Sequence, residues 1–184
     1  MKYEAIEKND KLGREIIIRS AEVKDAAALI KYMETTATES RNLLREPGER
    51  VPSLEQEEEF LKGRMEAERE LMLVAYYDDK LLGACSLMSP GPQLRFKHRC
   101  IIAIALLKEN WGQGIGTLML ETLLDVAKEV GYEQVELEVV STNETAKALY
   151  EKMGFVKYGV LPNNMKYQDG TYADTEWMMK KLIP

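Results

Sequence analysis

Apolar residues in this chain fall into short blocks whose period switches between two and about three and a half. Glu15-Ile16-Ile17-Ile18-Arg19 is a β-branched run that predicts a strand. Ala26, Leu29, Ile30 and Met33 follow at the spacing of one helix face, behind Asp25 as N-cap. Residues 1–14 are polar and aperiodic, which predicts a loose leader. Between residues 34 and 51 the pattern dissolves into Thr, Ser, Asn, Arg, Pro and Gly, a surface loop. Ser53-Leu-Glu-Gln56 then offers a capping box for a charged helix reaching about Glu68. Residues 71–77 and 80–89, separated by Asp78-Asp79, predict a β-hairpin that Pro90-Gly91-Pro92 ends.

The second half is more strongly patterned. Residues 101–107 are a continuous apolar run, the signature of a central strand buried on both faces. A glycine-rich turn leads into a helix with Ile115, Leu118, Met119, Leu123, Val126, Ala127 and Val130 on one face, ending at Gly131. Val135, Leu137 and Val139 alternate with Glu136 and Glu138 as a strand whose acidic side reads as a solvated sheet face. Asn143 opens a helix carrying Ala146, Leu149, Tyr150 and Met153 on one face, with Gly154 as its C′ residue. A strand at 155–161, a polar loop at 162–173 and a strand at 175–182 close the chain. No repeat or linker divides it, so residues 15–184 are expected as one α/β domain.

Composition narrows the chemistry. At 184 residues and 21.0 kDa, one domain can bury its own core without disulfides or a structural metal. The 25 basic side chains against 31 acidic, net −6, disfavour nucleic acid and anionic lipid as partners. The longest apolar run, 100–107, is too short to span a bilayer, and the first thirty residues hold no signal-peptide core, so a cytoplasmic location is expected. Cys85 and Cys100 are flanked by apolar residues and are expected as reduced, partly buried thiols. With His98 the sole histidine, no zinc-like spacing exists and no metal is expected.

Gly112-Gln113-Gly114-Ile115-Gly116 lets successive N–H groups converge at a helix start, where the macrodipole also favours negative charge. That is a pyrophosphate cradle, although a tight strand-to-helix turn would have the same glycines. A Walker loop would end in Gly-Lys-Ser/Thr, whereas Gly116 is followed by Thr117-Leu118. A dinucleotide fingerprint would need glycine where Met119 stands.

About one strand and one helix downstream lies Asn143-Glu-Thr-Ala146-Lys-Ala-Leu149-Tyr150-Glu-Lys-Met-Gly154-Phe155. Together the two segments resemble the GNAT superfamily of acyl-CoA-dependent N-acetyltransferases. The likeness is most specific from His98 to Phe155 and extends through the hairpin, the Ile18-Arg19 strand and Asp169-Gly170-Thr-Tyr172-Ala-Asp174 over nearly the whole chain. One departure is Trp111, where the family's loop usually begins with Arg or Gln.

The resemblance implies an α/β (α+β) fold: a single mixed, mostly antiparallel sheet of roughly seven strands, splayed between its central strands and flanked by roughly four helices. It implies acetyl-CoA as co-substrate. It places the pantetheine arm on the backbone of Ile104, Ala105 and Leu106, the pyrophosphate on Gly112, Gln113, Gly114, Ile115, Gly116 and Thr117, and a further CoA contact at Asn143, itself a good N-cap. Tyr150 would face the CoA sulfur and stabilise or protonate the leaving thiolate. Glu138 stands where a catalytic glutamate acts in the ribosomal-protein N-terminal acetyltransferase branch, and His98 is a second candidate base because its ordinary pKa lies near neutrality.

The expected reaction is acetyl transfer from acetyl-CoA to a primary amine, on a small molecule or a protein N-terminus, by direct attack in a ternary complex. The acidic 53–70 segment suits a cationic acceptor, and the 35–52 and 162–173 loops are expected to select it. The alternative is a non-catalytic acyl-CoA-binding or sensing module, which would need neither Tyr150 nor a base. Family members often dimerise, and the last strand and 10 methionines offer apolar surface for a homodimer.

Overall fold

The structure is a computed structural model that describes residues 1–183. Strands β1 (Ile6–Asn9) and β2 (Glu15–Ser20) lead into helices α1 (Ala26–Glu39) and α2 (Leu54–Glu66). The β3 (Leu71–Tyr77) and β4 (Lys80–Met88) hairpin precedes β5 (Arg99–Leu106), α3 (Ile115–Glu129), β6 (Gln134–Val140), α4 (Glu144–Lys152), β7 (Val156–Lys166) and β8 (Tyr172–Lys181). One eight-stranded sheet runs in the order β1-β2-β3-β4-β5-β6-β8-β7. Every neighbouring pair is antiparallel except β5 with β6.

Side-chain alternation along the strands sends two cores to opposite faces. Leu73, Cys85 and Leu137 pack with Met119 and Leu123 of α3 and Tyr150 of α4 on one face. Val74 and Ala84, each one residue out of step, pack with Leu29, Tyr32 and Leu61 of α1 and α2 on the other. Asp78 and Asp79 adopt φ of +49° and +58°, both in the left-handed region that a two-residue turn between twisted strands requires. The capping box forms as expected, with Ser53 Oγ accepting from the Gln56 N–H (3.3 Å) and Gln56 Oε1 accepting from the Ser53 N–H (2.9 Å).

Several expectations are corrected. Residues 1–14 are not a loose leader throughout, because residues 6–9 pair with 15–18 as the eighth strand, at the sheet edge. Helix α1 continues to Glu39, through residues whose Thr side chains bond back to carbonyls three or four residues earlier. Most of the polar stretch 162–173 is strand, since β7 reaches Lys166 and β8 starts at Tyr172. Glu136 is not solvated: it is 1% exposed, accepts from Gln134 Nε2 (2.7 Å) and pairs with Arg99. Both cysteines are fully buried and free, and burial raises both thiols. Asp25 stands at the N-cap of α1 without capping it, because its carboxylate accepts from Arg19 (2.7 and 2.8 Å), the Glu22 N–H (2.8 Å) and the Tyr76 hydroxyl (2.9 Å).

Candidate active site

The site begins where two strands stop pairing. β5 and β6 are in register only from Arg99 opposite Gln134 to Ile101 opposite Glu136; beyond that β5 continues beside β4 to Leu106 while β6 follows β8. This is the central splay. The His98 carbonyl accepts from the Glu133 and Gln134 N–H groups, and the Leu107 N–H donates to Leu82 on the β4 side. Alternation along the strand therefore turns the backbone groups of Ile104 and Leu106 into the gap, with no strand to receive them. The apolar run that predicted burial on both faces is half-buried from Ile104 to Leu106 for this reason.

At the mouth of the gap, Gly112 and Gly114 take φ of +74° and +91°, which only glycine adopts freely. Gly114 is the N-cap of α3 and no side chain caps the helix. The first helical bond of α3 runs from the Leu118 N–H to the Gly114 carbonyl (3.1 Å), leaving the N–H groups of Ile115, Gly116 and Thr117 without helical acceptors. A Cβ at Gly116 would stand 3.2 Å from Leu149 Cδ2 of α4, so glycine keeps this corner clear. Trp111 folds back over the strand end, its indole N–H donating to the Leu106 carbonyl (2.9 Å).

These elements enclose a cavity of about 360 Å³. Ile104, Ala105, Leu106, Gly112, Gly114, Gly116, Thr117, Asn143 and Tyr150 all line it. Ile115 is fully buried beneath it, and the Gln113 side chain is turned away, accepting from Arg14 and donating to the Glu109 carbonyl (2.6 Å), so each would offer a ligand only its backbone. Asn143 caps α4, its Oδ1 accepting from the Ala146 N–H (3.3 Å). Tyr150 is 7% exposed, and among the described residues its hydroxyl has no hydrogen-bond partner. Burial, helped by nearby Cys85, pushes its phenol up to about 12.

Glu138 does not line the cavity that holds Tyr150. Val135, Leu137 and Val139 turn to the face that holds α3 and α4, so Glu138 faces the side of α1 and α2. It is exposed, and its Oε1 accepts from Asn164 Nδ2 and from the Thr175 hydroxyl. His98 is exposed at the opposite end of β5, roughly 20 Å along the strand from Ile104 at ~3.3 Å per residue. Sequence reasoning missed Lys11, Asn110 and the end of α1, whose Thr36, Glu39 and Ser40 also line the cavity. Asn110 is 3% exposed and, among the described residues, its Nδ2 has no partner, an orphaned donor in the cavity wall.

A second groove of about 200 Å³ runs between residues 40–47 and 164–167 and shares Ser40 and Leu43 with the first. Arg41 bridges its walls, pairing with Asp169 (2.9 Å) while stacking 4.2 Å from the Tyr167 ring centre. Among the described residues, no cluster of three or more His, Cys, Asp or Glu side chains could hold a metal, and no helix is long and apolar enough to cross a membrane.

Comparison with known proteins agrees with this geometry. An N-alpha-acetyltransferase from Sulfurisphaera tokodaii is 31% identical over 164 residues, covering 89% of this chain and 92% of that protein. N-alpha-acetyltransferase 30 from Schizosaccharomyces pombe is 34% identical over 89 residues, 48% of this chain, and the match spans only 59% of the relative. A GNAT-family acetyltransferase from Streptococcus pneumoniae superposes with a TM-score of 0.87 at 27% identity, covering 91% of this chain and all of the other. A phosphinothricin acetyltransferase from Sinorhizobium meliloti, solved in complex with acetyl-CoA, shares the fold at a TM-score of 0.79 and 18% identity, covering 90% of this chain and 88% of that one. The acetyltransferase (GNAT) family model matches residues 29–155, from the first helix through the gap, the glycine turn and Tyr150, and the chain belongs to that family.

Proposed function

We propose that the protein transfers the acetyl group of acetyl-CoA to a primary amine, with a peptide N-terminus as the preferred acceptor. The observation that carries this reading is the buried Tyr150 side chain, which lines a cavity where Ile104 has no partner strand and the start of α3 has no side-chain cap. Bound acetyl-CoA would supply an already activated thioester. The backbone of Ile104 and the Leu106 N–H would pair with an extended amide-bearing arm as a strand does, the Leu106 carbonyl being held by Trp111. The N–H groups of Gly112 to Thr117 and the start of α3 would receive the pyrophosphate. A phenol held near 12 stays protonated at physiological pH, so Tyr150 acts as a donor to the departing sulfur and never as the base.

The acceptor would approach from the α1 and α2 side, where the second groove meets the cavity at Ser40 and Leu43. Asn164 lines that groove and bonds Glu138, which supports this carboxylate as the group that takes the proton lost by the attacking nitrogen, directly or through one water. The new C–N bond forms as the C–S bond breaks, and the thiolate leaves stabilised or protonated by Tyr150. The relatives named N-alpha-acetyltransferases support an N-terminal α-amine. The groove carries Arg41, Arg45 and Lys166 beside Glu46, so it does not share the acidity of the 53–70 segment.

The test is thiol release from acetyl-CoA with short peptides differing in their first residue and with small primary amines. Tyr150→Phe is expected to lower kcat by at least about tenfold with KM for acetyl-CoA little changed. It should leave the melting temperature unmoved, because an unpartnered hydroxyl contributes no hydrogen bond to the fold. Acetyl-CoA binding without thiol release for any amine would instead establish the sensing module.

A further inference from the structure

Trp111 leaves the glycine turn without the cation or amide side chain that its first position usually carries, and the indole is committed to the Leu106 carbonyl. The N-terminal hairpin brings a cation to the same place. The Asp10 carboxylate, with a fully buried side chain, accepts from the Leu12 N–H (2.8 Å), the Arg14 N–H (2.9 Å) and the Arg14 guanidinium (2.7 Å), which fixes the β1–β2 turn. That turn is docked on the glycine loop twice: the Lys11 N–H donates to the Gln113 carbonyl (2.9 Å), and Arg14 donates to Gln113 Oε1. The stem of Lys11 lies against Gly114, where a Cβ would come within 3.1 Å of Lys11 Cγ. Lys11 lines the cavity beside Gly112, Gly114, Gly116 and Thr117, and among the described residues its ammonium pairs with no carboxylate.

We propose that Lys11 is a binding residue for the pyrophosphate of CoA, the cation of the cradle supplied from the other end of the chain while Trp111 serves only to close the strand. This rests on the acetyl-CoA reading above. A lysine suits the role because a compact point charge on a flexible stem can follow a phosphate without a fixed bidentate geometry. Its weight is greater here than in a basic protein, since the remaining field, net −6, opposes a polyanionic ligand. Because the side chain is exposed, the charge-assisted contact is screened and its expected effect is modest.

Calorimetric titration of acetyl-CoA and of its dephospho form, which lacks the 3′-phosphate but keeps the pyrophosphate, into the wild type, Lys11→Met and Lys11→Arg separates the outcomes. Lys11→Met keeps the stem that covers Gly114, and a melting curve checks that the hairpin stays docked. The expected result is about five- to tenfold weaker binding of both ligands to Lys11→Met, a flatter dependence on ionic strength, and recovery in Lys11→Arg. Equal affinity and salt dependence for wild type and Lys11→Met would overturn the proposal while leaving the acetyl-CoA reading intact. A loss seen with acetyl-CoA but not with the dephospho form would overturn the pyrophosphate assignment in favour of the 3′-phosphate. Failure of the wild type to bind either ligand would overturn both readings.

Discussion

The ion pair between Arg99 and Glu136 sits at the last residues that hold β5 and β6 together, and removing either member should cost different amounts. The Glu136 side chain is 2% exposed and that of Arg99 is 28% exposed. Arg99→Met leaves a buried carboxylate with Gln134 Nε2 as its remaining donor, near the range of about 3–5 kcal/mol for an orphaned buried charge. Glu136→Leu leaves a guanidinium that can turn partly to water and still stack near Phe96, so about 2 kcal/mol is expected. For a chain of this length each kcal/mol moves Tm by roughly 2–4 °C, giving falls of about 6–20 °C and 4–8 °C. The double variant should lose less than Arg99→Met alone, because a packed apolar pair carries no desolvation cost. Denaturant unfolding of the four proteins gives the coupling energy directly. Additive losses, or a larger loss for Glu136→Leu than for Arg99→Met, would refute the reasoning.

Two further outcomes follow from local geometry. Asn143→Ala removes the cap of α4 and should lower stability by about 1 kcal/mol in denaturant unfolding, moving Tm by about 2–4 °C. Burial would raise the Asp25 carboxyl, but hydrogen bonds from Arg19, Glu22 and Tyr76 outweigh it and hold the group below the ordinary carboxylate range. A depressed folded pKa stabilises the protein above the unfolded value of about 3.9, and that contribution is lost as pH falls through the folded value. In thermal melts followed from pH 7 downward, Asp25→Asn should be less stable at neutral pH and show a shallower acid limb than the wild type.

The glycine turn, the Asp78-Asp79 hairpin and the Tyr150 helix were legible because each is specified by residues close in sequence. The gap was not, because its cause is a divergence of two backbones and the apolar side chains of 101–107 do not record which neighbour departs. Strand β1 was hidden for a related reason: Glu7, Lys8 and Asn9 are exposed at a sheet edge, so no apolar alternation marks them. Lys11 was therefore invisible as a site residue, since only the β1–β2 turn carries it to the loop. Glu136 read as solvated because its partner, Arg99, comes from another strand.

The parting of β5 and β6 also bears on self-association. An unpaired strand edge ordinarily templates another chain and invites aggregation. Here the open edge at Ile104 lies inside the sheet, recessed between β4 and β6, with helices packed on both faces of the sheet and the Leu106 carbonyl already held by Trp111. The fold thus keeps a hydrogen-bonding edge available without exposing it to other copies of itself.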